Sequence, residues 1–185
     1  MSDIIKPASV LLIVCIVAAG LLGYVNQITA APIAAQEELA KQESMTAVLP
    51  DAAEFGEEEE INDGNITTIT PALDSDGNEI GYAVAITTRG FSAGLQLMFG
   101  VDTEGVITGL SVVNCSNETP GLGANAANES FYGQFAGKSG EVAVTKDGGD
   151  IEALTGATIT SRAVADAATE AINYVTENYL EGGAN

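Results

Sequence analysis

The sequence predicts an α+β protein, with a long apolar helix at the N-terminus and then an antiparallel sheet packed by helices. Three observations predict it. The run from Ala8 to Val25 carries no charge and is almost wholly apolar. Between Asn65 and Val113, apolar residues alternate with small or polar ones and are punctuated by Asp- and Gly-rich turns. From Ser161 to Leu180, apolar residues return at helical spacing. A run of period-two segments followed by a period-3.6 segment is the pattern of strands and helices kept apart in the chain.

The apolar run has about the length needed to cross a bilayer as a helix at ~1.5 Å per residue. Ser9 is its only polar residue before Tyr24, which falls where an interfacial aromatic belongs. Lys6 precedes the run and the next base is Lys41, an asymmetry that favours the N-terminus inside. The expected organisation is a cytoplasmic N-terminus over residues 1–7, a transmembrane helix over 8–28, a helical and acidic stalk over 29–64, and an extracytoplasmic domain over 65–185. A cleaved signal peptide is a competing reading, but its site Thr29-Ala30-Ala31 precedes Pro32. A lipoprotein signal ending at Cys15 would place Val14 where a small residue belongs. The retained anchor is the expectation.

Pro32 to Gln42 is rich in Ala and Glu and should continue as helix. Asp51 to Asp63, with four consecutive glutamates at 57–60, reads as a solvated segment rather than a cation-attracting surface. Strands are expected around Ile66, Ile69 and Leu73, then from Ile80 to Ile86 after the turn Asp74-Ser75-Asp76-Gly77-Asn78. Leu95, Leu97 and Phe99 supply another, and Val106 to Val113 a further one beyond the turn Asp102-Thr103-Glu104-Gly105. Such a meander should have one buried and one wet face. Glu129 to Phe135 reads as a short helix, and Val142 with Val144 as a brief strand closed by Asp147-Gly148-Gly149. The last helix buries Val164, Ala167, Ala168, Ala171, Ile172 and Val175, with Thr160 or Ser161 as its N-cap.

Composition narrows the function. Lys and Arg total 6 against 26 Asp and Glu, a net charge of −20. That excludes nucleic acid, whose phosphates need neutralising, and docking through anionic lipid headgroups. With no His and two Cys, the chain cannot by itself build a Cys/His zinc site or hold an iron–sulfur cluster, so no metal is expected. Cys15 should be a small buried hydrophobe, and a Cys15–Cys115 disulfide is not expected because one partner would lie in the membrane. Redox work would need an organic cofactor.

Two clusters carry chemistry. In Leu154-Thr155-Gly156-Ala157-Thr158-Ile159-Thr160-Ser161, a Gly turn meets the start of a helix, where free N–H groups and the macrodipole suit a phosphate. Gly156 and Ala157 leave room for a planar ligand, and the bland alternative is an ordinary capped helix. Asn117-Glu118-Thr119-Pro120-Gly121-Leu122-Gly123-Ala124 sets Leu122 between two glycines on a permissive loop, where it covers a flat ring or merely fills the core. Glu118 reads as a solvated loop carboxylate, and Tyr174 and Tyr179 read as packing rather than relays.

These clusters, with Phe131…Gln134-Phe135, Arg162-Ala163-Val164 and the N-terminal Ile28-Thr29-Ala30-Ala31-Pro32-Ile33, resemble the FMN-binding domain family of the Rnf G subunit. The resemblance spans nearly the whole chain except the acidic stretch and the tail. It implies an electron-transfer subunit of an ion-translocating membrane ferredoxin:NAD oxidoreductase. It implies FMN joined by a phosphoester to Thr158, the second Thr of the Thr-Gly-Ala-Thr motif, placed there by a flavin transferase outside the cytoplasmic face. Thr155, Gly156, Ala157, Thr160 and Ser161, and Glu118, Thr119, Gly121, Leu122 and Gly123, are the other expected cofactor-binding residues, with Arg162 adding positive charge. The family's Asp six residues before the acceptor is Glu152 here. Expected partners are the membrane and the other membrane and peripheral subunits. Direct NAD or ferredoxin binding is not expected, since the dinucleotide fingerprint and cluster-ligand spacing are absent. Two alternatives stay open: the paralogous C subunit of a Na⁺-translocating NADH:quinone reductase, and a membrane-tethered binding module without redox work.

Overall fold

A computed structural model describes the backbone of residues 2–180 and the side chains of residues 8–61 and 63–180. The chain divides into two compact units, Met1–Ala40 and Lys41–Asn185. The first is helical throughout its described length and belongs to α1 (Ser2–Val48). Its apolar stretch from Ala8 is long and apolar enough to cross a membrane. Cys15 lies on this stretch with its side chain exposed.

The second unit is a curled antiparallel sheet of six strands: β1 (Glu54–Phe55), β2 (Glu59–Asp63), β3 (Ile66–Leu73), β4 (Glu79–Arg89), β5 (Ala93–Asp102) and β6 (Ile107–Asn114). Their order is β1-β3-β4-β5-β6, with β2 also paired to β3. The same device closes both central hairpins. Asp74 Oδ1 accepts the N–H groups of Asp76 and Asn78 at 2.8 and 2.9 Å. Asp102 Oδ1 accepts those of Glu104 and Val106 at 2.8 and 2.9 Å. In each turn the carboxylate adds to the backbone acceptor, since the Asp74 and Asp102 carbonyls still take the Gly77 and Gly105 N–H groups at 3.1 Å, which is why Asp opens both sequences.

One sheet face packs on α3 (Thr158–Val175). Tyr82, Val84, Ile86, Leu97 and Phe99 meet Val164, Ala168, Ile172 and Val175 in a single core. Each large side chain buried there is worth roughly 1.5–3 kcal/mol, and the alanines of α3 let the helix lie close. Short helix α2 (Glu129–Tyr132) and the 3₁₀ turn Gly133–Phe135 close one end, with Phe131 and Phe135 edge to face at 5.6 Å.

The opposite face differs from expectation. It is not simply wet, because Val48 and Leu49 pack on Ala72, Ala83 and Met98. Thr108 Oγ1 donates to the Val48 carbonyl at 2.6 Å. A Cβ at Gly100 would lie 2.5 Å from that same carbonyl oxygen, so glycine there permits the approach. The small residues alternating along β4 and β5 are thus a second, shallower packing surface.

The acidic stretch is not merely solvated either. Glu54 and Phe55 pair with Leu73 and Ala72, and Glu59 and Glu60 pair with Ile69 and Thr68. Charged side chains are tolerated because these are edge strands. Glu58 pairs with Lys41, which holds its carboxyl below the usual range. The brief strand expected at Val142–Val144 shrinks to one parallel bridge between Val144 and Ile151, since the intervening residues turn through Thr145–Asp147 instead of extending.

Candidate functional site

Helix α3 starts at Thr158, with Ala157 in the cap position and no side-chain cap. Thr160 and Ser161, expected as the cap, are buried inside the first turn. Ser161 Oγ donates to the Ala157 carbonyl at 3.0 Å and accepts the Leu154 N–H at 2.9 Å. Thr160 Oγ1 donates to Glu118 Oε2 at 2.7 Å. From within the turn these hydroxyls cannot cap the helix; they fasten the preceding loop to it. The hydroxyls left at the surface are those of Thr155, exposed, and Thr158, half-buried.

Thr158 Oγ1 accepts a hydrogen bond from Lys146 Nζ at 3.1 Å. Lys146 comes from the 3₁₀ turn Thr145–Asp147. Its neighbour Asp147 takes both bonds of Arg162, each at 2.6 Å, and that guanidinium holds the Asp147 carboxyl below its ordinary value. The base bonded to the Thr158 hydroxyl is therefore Lys146, while Arg162, expected to add charge there, is bound to Asp147.

The two motif loops meet. Gly156 has φ +77°, and a Cβ on it would lie 3.0 Å from Leu122 Cδ2. Gly121 also takes positive φ, +75°, and its carbonyl accepts the Asn125 amide at 2.8 Å. The Thr119 carbonyl accepts the N–H groups of Leu122 and Ala124 at 3.1 and 3.2 Å, so the loop is a compact turn. At Gly123 a Cβ would fall 2.2 Å from Glu118 Oε2 and 2.7 Å from Thr160 Oγ1.

Glu118 corrects the sequence reading most sharply. It is 3% exposed, not a solvated carboxylate. Besides Thr160, it accepts the Ser92 N–H at 3.0 Å. It joins three segments: the β4–β5 turn, its own loop, and the first turn of α3. Each of these carries an exposed apolar side chain: Phe91 (64%), Leu122 (40%) and Ile159 (55%). The nearby Cys115 thiol is pushed up, first by burial and then by the Glu118 charge.

Sequence reasoning missed Phe91, Lys146 and the role of Gln134. Gln134 Oε1 accepts the Glu152 N–H at 2.7 Å and its Nε2 donates to the Glu152 carbonyl at 3.3 Å, fixing the approach to the octet. The scarcity of bases was the one available signal for Lys146, because any Lys shortly before a helix start in so acidic a chain merits inspection.

Two sequence-family models match the chain: the FMN-binding domain over residues 90–173 and the RnfG N-terminal region over residues 1–48. The G subunit of an ion-translocating oxidoreductase complex from Methanosarcina acetivorans is 36% identical over 94% of this chain and 95% of that protein. The G subunit of a proton-translocating ferredoxin:NAD(+) oxidoreductase complex from Clostridium ljungdahlii is 36% identical over 90% of this chain and 88% of that protein. Its counterpart in a Na(+)-translocating ferredoxin:NAD(+) oxidoreductase complex from Acetobacterium woodii is 36% identical, over 87% and 86%. The C subunit of the Na(+)-translocating NADH-quinone reductase from Parabacteroides distasonis is 25% identical over 64% of this chain and 63% of that one, with a TM-score of 0.47. With its FMN-binding domain and near full-length similarity to these G subunits, the chain belongs to the G-subunit family of ion-translocating oxidoreductase complexes.

Proposed function

We propose that this chain carries FMN as a phosphoester on Thr158 and relays electrons through it within a membrane ferredoxin:NAD oxidoreductase that moves ions. The observation that supports this best is the Thr158 hydroxyl itself. It is the first residue of an 18-residue helix, half-buried rather than sealed, while its neighbours Thr160 and Ser161 are bonded inward.

The residues present suit such a group. A phosphate gains from the free N–H groups and positive end of α3, which matter more in a chain of net charge −20. Gly156 has no Cβ, so Leu122 reaches across it and the two loops form one wall. Leu122, with Phe91 and Ile159, offers apolar cover for the ring system. Thr155 and Ala157 shape the approach. Glu118 holds the first turn of α3 through Thr160 and holds the β4–β5 turn through Ser92. Thr119, Gly121 and Gly123 keep the covering loop tight around it. FMN so held supplies one- and two-electron transfer.

Attachment exchanges one bond for another at Thr158. Thr158 Oγ1 would become bonded to the FMN phosphorus as the P–O–P link of an FMN phosphoanhydride broke and its other phosphate departed, and the hydroxyl proton would pass to a base of the flavin transferase. The apolar helix and the placement of Lys6 support an N-terminus (1–7) inside, a span over 8–28, a stalk over 29–64 and a flavin domain over 65–185 outside. The other membrane and peripheral subunits would deliver and remove the electrons.

The test is direct. Chain produced with its flavin transferase is run on a denaturing gel under ultraviolet light, and the tryptic peptide 147–162 is weighed. Fluorescence at the chain's mass and an FMN adduct on Thr158 are expected, with complete loss of both in Thr158→Ala. A dark band with an unmodified peptide would leave only a tethered, non-redox module.

A further inference from the structure

We propose that Lys146 is the cationic partner of the phosphoester on Thr158, receiving the FMN phosphate as it is transferred and pairing with it afterwards. This rests on the Thr158 attachment proposed above and adds a residue that neither the motif nor the octet contains.

Bases are scarce in this chain: six face 26 acids. Lys41 pairs with Glu58, Lys138 with Asp150 and Arg162 with Asp147. Lys146 donates instead to a neutral hydroxyl, Thr158 Oγ1, at 3.1 Å. Any esterification at that oxygen sets a phosphate against the ammonium.

The position is built as well as close. The turn Thr145–Asp147 is pinned at its start by the Val144–Ile151 bridge, with the Thr145 N–H on the Ile151 carbonyl at 2.9 Å. It is pinned at its end by the bidentate Asp147–Arg162 pair, and Arg162 lies on the same helix as Thr158. Lys146 is thereby held between two ties to the acceptor's own surroundings. Asp147, the carboxylate adjacent in sequence, is bonded to Arg162 and also feels the Lys146 charge, but the hydrogen bond of the ammonium goes to Thr158 Oγ1. Esterification would add to it a charge-assisted bond to phosphate, roughly twice as strong as a neutral one.

The experiment uses the full chain with the flavin transferase, comparing wild type with Lys146→Gln, Lys146→Arg and Thr158→Ala. Two quantities are read: the rate of FMN loading by intact mass, and the ³¹P resonance of the phosphoester in loaded wild type and loaded Lys146→Gln. Lys146→Gln should load about tenfold more slowly, the loss of one charged hydrogen bond, while Lys146→Arg stays near wild type. The ³¹P resonance of the phosphoester should differ between loaded wild type and loaded Lys146→Gln, because the charged donor facing it is gone in the variant. Unchanged urea midpoints for both variants confirm that folding is intact. Wild-type loading speed in Lys146→Gln, or an identical ³¹P resonance in loaded wild type and loaded Lys146→Gln, would overturn the assignment while leaving Thr158 as the acceptor. An adduct mapping elsewhere than Thr158 would overturn both.

Discussion

At its first turn, α3 meets a lysine, two glycine-bearing loops and a buried glutamate that accepts from a threonine. Just past its last turn, the chain meets a set of tyrosines beside carboxylates. The Tyr179 ring lies tilted against Tyr82, centroids 4.7 Å apart, and 6.5 Å from Tyr174. Tyr82 donates to Glu79 and Tyr179 to Glu59, both at 2.7 Å. No base sits in the last turn of α3, where one would normally complement the macrodipole. Neutral phenols there donate to the carboxylates of the neighbouring strands. The contrast is one of donors: Lys146 and Arg162 stand at the start of α3, whereas past its end the donors are neutral hydroxyls bonded to carboxylates.

The contrast can be broken most forcefully at Glu118. Glu118→Ala strips the acceptor from the Thr160 hydroxyl and the Ser92 N–H and leaves a void at a site 3% exposed. The expected cost is about 2–4 kcal/mol by urea unfolding, as for other broken buried polar networks. A loss below about 1 kcal/mol would show that the three segments are held by something else.

Gly156→Ala should cost less, roughly 1–2 kcal/mol, because Ala resists a φ of +77°. Its added methyl also meets Leu122, so FMN loading should fall with stability. Loading at the wild-type level in this variant would separate the Leu122–Gly156 contact from cofactor attachment.

The tyrosine end should respond least to truncation and most to alkali. Tyr179→Phe loses one partly exposed hydrogen bond, worth about 0.5–1 kcal/mol at neutral pH. Burial, and then the bond to Glu79, push the Tyr82 phenol up to about 12, and burial followed by the bond to Glu59 raises Tyr179. The folded state therefore binds these protons more tightly than the unfolded chain, whose phenols titrate near 10. Their contribution is complete below about pH 10 and is lost as pH rises toward 12. Urea midpoints measured across that range should fall, and Tyr179→Phe should flatten the fall. A midpoint independent of pH there would show that the phenols are not held protonated by the fold.

The four central strands were legible because alternation and Asp/Gly turns are local signals, and β3 to β6 follow them closely. The acidic edge was not, since four successive glutamates read as solvent-seeking whether or not an edge strand captures them. The start of α3 was misplaced for a related reason. Hydroxyls before a helical pattern look like caps, and only the contacts to Leu154, Ala157 and Glu118 show them bonding inward from the first turn.

The sequence alone determined the α+β class, the apolar N-terminal helix, the hairpin turns and the octet around Thr158, because each depends on residues near one another along the chain. Tertiary structure alone decided that Glu118 is buried, that Leu122 lies over Gly156, and that Lys146 reaches the Thr158 hydroxyl. Those pairings join residues from 12 to 42 positions apart along the chain. Such contacts form only once the sheet and α3 have packed and fixed where each loop returns.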